Sequence, residues 1–112
     1  MIQSIDARTA QDLIASGELD VIDVREPNEW ANGHVPGSRL LPLARLRAAP
    51  RASLPRDGLI FICAAGIRSE TAARVAVGLG HTRVYNLVGG TRGWAQAGFG
   101  LEHDAQPAAA TG

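Results

Sequence analysis

Residues 59–80, "LIFICAAGIRSETAARVAVGLG", change character twice. Residues 59–63 form a continuous apolar run of strand length, the pattern of a central strand covered on both faces. Residues 64–69 are small or polar, and Gly66 can take a positive φ. Over residues 70–79, Ala73, Ala76 and Val77 fall on one helical face. Ser69 is the expected N-cap of that helix, Glu70 sits in the first turn where negative charge is favoured, and Gly80 is the stop. Strand, tight loop and helix in that order make the repeating unit of an α/β domain with a mainly parallel sheet. The loop also opens with Cys63, the only cysteine in the chain.

The same alternation runs outward in both directions. Towards the N-terminus, "LDVIDV" (19–24) reads as a buried strand, preceded by a helix over 7–16 that Asp6 caps and Gly17 ends. Pro27 suits the first helical turn of "PNEWANG" (27–33), closed by Gly33. A short strand is expected near 38–41, a short helix over 43–49, and a loop over 51–58 ending in a turn-forming Asp-Gly. Towards the C-terminus come a strand in "RVYNLVGG" (83–90) and a last short helix over 91–98. Residues 103–112, "HDAQPAAATG", are small and polar and are expected to form a disordered tail after a domain spanning 1–102. There are no internal repeats.

A chain of 112 residues has room for one core, and 46% apolar residues suit a folded domain. Eleven basic residues, all arginine, balance eleven acidic ones. Zero net charge gives no general attraction to nucleic acid or to an anionic membrane, so neither is an expected partner. No apolar run approaches the roughly 20 residues that span a bilayer, and the N-terminus lacks the apolar core of a signal peptide. One cysteine cannot form an internal disulfide, a CxxC pair or a multi-cysteine metal site, and a reducing cytoplasm is the expected location. His34, His81 and His103 lack ligand spacing, so neither metal nor cofactor is expected.

In parallel sheets ligands bind beyond the carboxyl ends of the strands, and Cys63 stands at such an end. Read alone, a cysteine there is equally a small buried hydrophobe. The residues after it favour chemistry. Ala64, Ala65, Gly66, Ile67, Arg68 and Ser69 lead into a helix N-terminus, an arrangement that can curl backbone N–H groups into an anion nest, with Arg68 adding a fork of donors. A free thiol has a pKa of about 8.5. A helix terminus contributes about 0.3–2 kcal/mol towards an anion. Each charge-assisted hydrogen bond adds about 1.5–3 kcal/mol. Such a loop can therefore hold a thiolate without a neighbouring histidine.

At this point the sequence resembles the single-domain rhodanese family of thiosulfate-type sulfurtransferases. "CAAGIRS" (63–69) is similar to the family's active loop, "VIDVREPNEWANGHVPGS" (21–38) to its N-terminal signature and "LVGGTRGWAQAG" (87–98) to its C-terminal one. The resemblance covers about residues 3–102. It departs at Ser38, where alanine is more usual, a small side chain in either case. It implies a three-layer fold, a mainly parallel central sheet flanked by helices on both faces.

The resemblance further implies an enzyme moving a sulfane sulfur from thiosulfate, or a related small anionic donor, to cyanide or a thiol. Cys63 is the implied nucleophile and persulfide carrier, and residues 64–69 are the implied substrate-binding loop. Asp23, Arg25 and His34 are implied signature residues, better read as structural than as catalytic. An alternative is a persulfide carrier or interaction module with a protein donor or acceptor. Ala64 and Ala65 favour it, because they leave Arg68 as the loop's only charge and predict weak affinity for thiosulfate. Phosphatases and arsenate reductases of the same fold place five residues between cysteine and arginine, whereas four stand here, a smaller cradle. Of the remaining residues, Glu29 is a candidate partner for Arg25, Trp30 and Trp94 read as packing residues, and Gly89 and Gly90 are expected to shape the turn after a strand.

Overall fold

The computed structural model describes residues 1–103. From residue 104 onward, the expected disordered tail lies outside the described residues. Five parallel strands form one sheet in the order β1-β5-β4-β2-β3: β1 Ile2–Ile5, β2 Asp20–Asp23, β3 Arg39–Leu40, β4 Leu59–Ile62 and β5 Val84–Leu87. The helices are α1 Ala7–Ala15, α2 Pro27–Ala31, α3 Leu43–Ala48, α4 Pro50–Ser53, α5 Ile67–Gly78 and α6 Gly90–Gln96.

β4 is the centre of the sheet, and all four of its residues are buried. Period-two alternation divides them between two cores. Leu59 and Phe61, with Cys63 after them, join Ala72, Ala73 and Ala76 of α5 and Leu46 of α3. Ile60 and Ile62 face Ala7 and Ala10 of α1 and Trp94 of α6. Helices thus cover both faces, as expected of three layers. Asp6 caps α1 by accepting from Thr9 N at 2.9 Å. Among the described residues no helix is long and apolar enough to cross a membrane.

Three local expectations are corrected. First, residues 2–5, given no element from sequence, form the edge strand β1. It pairs Ile2 with Val84 and Ile5 with Leu87 along β5, whose backbone would otherwise lack a partner on that side. Second, the loop expected over 51–58 begins as the single turn α4, because Pro50 presets the first helical φ. Asp57 closes what remains of that loop, accepting from Gly58 N at 2.8 Å, Arg83 N at 3.0 Å and Thr82 N at 2.9 Å. Third, Ser69 is not an N-cap. Gly66, at φ +99°, is the cap of α5, and the helix begins at Ile67.

Candidate active site

Cys63 follows β4 at the carboxyl end of the sheet, with 1% of its surface exposed. β4 turns to β5 on one side, while β2 turns to β3 on the other, so the thiol stands at the point where the winding reverses. The Cys63 sulfur accepts from Gly66 N at 3.0 Å and faces the Ser69 hydroxyl at 3.3 Å. The amides of Ala65 and Ser69 also favour its charged form. Burial, the largest influence, pushes the thiol's pKa up. The Ser69 hydroxyl and the amides of Ser69, Ala65 and Gly66 together outweigh it, and the net direction is downward.

The loop keeps this shape because α6 holds its back. Thr91 N donates to Cys63 O at 2.9 Å and Arg92 N to Ala64 O at 3.2 Å. With these carbonyls engaged by α6, the following amides are available to the sulfur. Gly66 and Gly90 make the close approach geometrically feasible. A Cβ on Gly66 would lie 3.2 Å from Gly89 N and 3.3 Å from Leu87 O, and one on Gly90 would overlap the Cys63 and Ala64 carbonyls.

Not every residue of the implied binding loop faces the sulfur. Gly66 and Ser69 do, through the amide and the hydroxyl respectively, and the Ala65 amide lowers the thiol's pKa. The Ala64 carbonyl is turned to α6, and the Ile67 side chain is 75% exposed on the outside of the loop. Arg68 is held by Glu29 of α2, with Nη1 to Oε1 at 2.8 Å and Nη2 to Oε2 at 2.9 Å. Glu29 therefore pairs with Arg68, not with Arg25 as its place in sequence suggested. The Arg68 hydrogen bonds hold the Glu29 carboxyl at a pKa of about 2, so it is ionised throughout the neutral range.

Asp23 and Arg25 form a buried ion pair, 2.8 Å between Arg25 Nη2 and Asp23 Oδ2. Arg25 Nη2 also donates to Gly33 O at 2.8 Å, which ties the end of β2 to the turn after α2. His34 lies away from the sulfur's hydrogen-bond partners. Its ring stacks on Trp30 with centroids 3.6 Å apart, its Nδ1 is 3.0 Å from Trp30 O, and its backbone pairs with Glu102. Two clefts of about 390 and 610 Å³, lined by Trp94 and Phe99 and by Arg39, Arg45 and Arg56 respectively, include no residue of the Cys63 loop.

Sequence reasoning did not find Asn86. Buried on β5, it accepts from Ser69 Oγ at 2.6 Å and donates through Nδ2 to Gly66 O at 3.2 Å, bracing both ends of the loop. Ser69 therefore has one hydroxyl hydrogen and two acceptors. The shorter contact assigns that hydrogen to Asn86 while the sulfur is protonated. A thiolate, carrying full charge, draws it across. Ser69→Ala is accordingly expected to move the pH midpoint of Cys63 alkylation upward and to slow alkylation at pH 7 by about tenfold, the value of one charge-assisted hydrogen bond. Iodoacetamide rates between about pH 6 and 10 measure it. An unchanged profile would mean that the hydroxyl serves Asn86 in both states.

A parallel three-layer sheet with a single thiol under loop amides at its carboxyl end defines a class of α/β anion-loop domain. The chain matches the rhodanese-like domain model over residues 6–97 and belongs to that family. It is 37% identical over 87 residues to the thiosulfate sulfurtransferase GlpE of Stutzerimonas stutzeri, covering 77% of this chain and 80% of that protein. It is 38% identical over 77 residues to YqhL of Bacillus subtilis, covering 69% of this chain but 61% of YqhL. The crystal structure of a rhodanese-related protein from Thermoplasma volcanium superposes with a TM-score of 0.80 at 32% identity, covering 91% of this chain and 99% of that one.

Proposed function

We propose that this chain is a sulfurtransferase that carries a sulfane sulfur as a persulfide on Cys63. The observation that carries the reading is the Cys63 sulfur itself, which accepts from the Gly66 amide and faces the Ser69 hydroxyl at the start of α5. Membership of the rhodanese-like family and likeness to a thiosulfate sulfurtransferase support it.

The chemistry is two displacements. The Cys63 thiolate attacks the outer sulfur of thiosulfate or a related donor. The donor's S–S bond breaks, and its electron pair leaves with sulfite. Cys63 then bears a terminal sulfur anion, and the loop donors that favour the thiolate, led by the Ser69 hydroxyl, favour this charge by the same physics. A cyanide carbon or a thiolate next attacks that terminal sulfur. The electrons of the broken bond return to Cys63, and thiocyanate or a new persulfide departs. No electrons enter or leave overall, so the cycle needs one cysteine and no resolving partner.

The test is the intact mass of the protein before and after thiosulfate without reductant, with Cys63→Ser alongside. The expected result is a gain of one sulfur atom in the wild type alone, lost again on adding cyanide. A gain in Cys63→Ser as well, or none in either protein, would remove the small-donor reading.

A second reading, a persulfide carrier served by a protein donor or acceptor, draws support from the rim of the site. Ile67 and Val88 are 75% and 53% exposed, and Val88 Cα is 3.7 Å from where a Cβ on Gly66 would lie. Apolar side chains beside a buried thiol suit a macromolecular thiol better than a small hydrated anion.

A further inference from the structure

Among the implied site residues, only Arg68 brings a full positive charge into the loop, and that charge is already answered. Both of its terminal nitrogens bind the two oxygens of Glu29, in a fork geometry that gives near-parallel charge-assisted hydrogen bonds. Glu29 is fixed in turn, since its Oε1 also accepts from Glu26 N at 2.9 Å as part of the capping box of α2. Arg25 offers nothing in compensation, being buried against Asp23. Arg92 is exposed and adjoins the loop through its backbone, outside the Glu29 pair. At Arg68 a donor approaching Cys63 therefore meets a guanidinium–carboxylate pair whose net charge is close to zero, and Arg92 is the neighbouring cation outside that pair.

We infer that Glu29 is a specificity-determining residue for the charge of the sulfur donor: by cancelling Arg68 it withdraws the advantage that dianionic thiosulfate would otherwise hold over donors with one negative charge or none at the sulfur-bearing end. The inference rests on the persulfide reading of Cys63. Its physical basis is that each charge on a donor interacts separately with the carboxylate of Glu29. The penalty therefore grows with donor charge, while the amides treat the outer sulfur alike in every case.

Two donors that differ by one charge isolate the effect. Thiosulfate is a dianion. Methanethiosulfonate has the same outer sulfur and a methyl group in place of one charged oxygen, and it releases methanesulfinate when the S–S bond breaks. Kinetics with both donors, cyanide as acceptor, are compared for the wild type and Glu29→Gln. Glutamine at this position can still accept from Glu26 N, so the capping box is retained.

The expected result is a gain in kcat/KM of about threefold per donor charge, hence about threefold for methanethiosulfonate and about tenfold for thiosulfate, carried by KM. An unchanged ratio between the donors would overturn the inference and leave the persulfide reading standing. Failure of either donor to load Cys63 in either protein would instead remove the reading on which it rests. A second measurement does not depend on how well Glu29→Gln folds. In Arg92→Gln, which removes the neighbouring cation and leaves Arg68 and Glu29 untouched, the thiosulfate KM is expected to change less than about twofold between about 0.02 and 0.5 M salt, because the paired Arg68 leaves little to screen. A steep rise with salt would also overturn the inference.

Discussion

Gly90→Ala is expected to lower the unfolding free energy by about 2–5 kcal/mol and to raise the pKa of the Cys63 thiol in whatever fraction still folds. Gly90 opens α6 at φ +58°, a conformation that costs an L-residue about 1–2 kcal/mol. The larger cost is steric. The new Cβ would sit 2.6 Å from both the carbonyl carbon and the oxygen of Ala64, and closer still to Cys63 O. All of these are backbone atoms, so no side chain can swing aside. Relief requires α6 and the loop to part, which breaks Thr91 N–Cys63 O and Arg92 N–Ala64 O. The loop amides then lose the geometry that directs them at the sulfur. Gly98→Ala is the control, because Gly98 has φ +90° with no atom of the described residues within 4 Å of its would-be Cβ. It should cost only the conformational part, about 1–2 kcal/mol. Urea unfolding of both variants separates the two contributions. Equal losses would show that close approach is not what requires glycine at position 90.

This dependence on a distant backbone explains which parts of the site could be read from sequence. Residues 59–80 were legible because strand, loop and helix are contiguous, and each announces itself through local pattern. The pair Gly89–Gly90 was also legible as a turn. That Gly90 presses against Cys63 and Ala64 was not, since the two segments meet only when β5 lies beside β4. Ser69 was misassigned for a related reason. Ser-Glu before an alanine-rich run looks like a cap, but Gly66 at φ +99° starts the helix earlier and turns Ser69 towards the sulfur and Asn86. Glu29 and Arg68 lie 39 residues apart and Asn86 and Ser69 17 apart, so no local spacing could pair them. β1 was missed because Ile2 and Ile5 flank two polar residues, and its strand character comes from the edge of β5.

The far end of the same web predicts a second large effect. Asp23→Ala is expected to destabilise the fold by about 3–5 kcal/mol, the cost of leaving one partner of a buried ion pair alone. Asp23 is fully buried. Its carboxylate accepts from Arg25 N at 3.0 Å, from Arg25 Nε at 3.0 Å and from Nη2 at 2.8 Å. Without it, the buried guanidinium of Arg25 keeps, among the described residues, only Gly33 O as a hydrogen-bond acceptor. Replacing both residues by leucine removes the charges together, and this double variant is expected to be more stable than Asp23→Ala alone, because no unpaired charge is then buried. A single variant within about 1 kcal/mol of wild type in urea unfolding would contradict the burial of the pair. The consequence reaches the thiol by a short route. Arg25 fixes Gly33 at the end of α2, α2 carries Glu29, and Glu29 holds Arg68. Loss of Asp23 should therefore free Arg68 as well as weaken the fold, and any Asp23→Ala protein that remains folded should show a lowered thiosulfate KM, the same direction as Glu29→Gln.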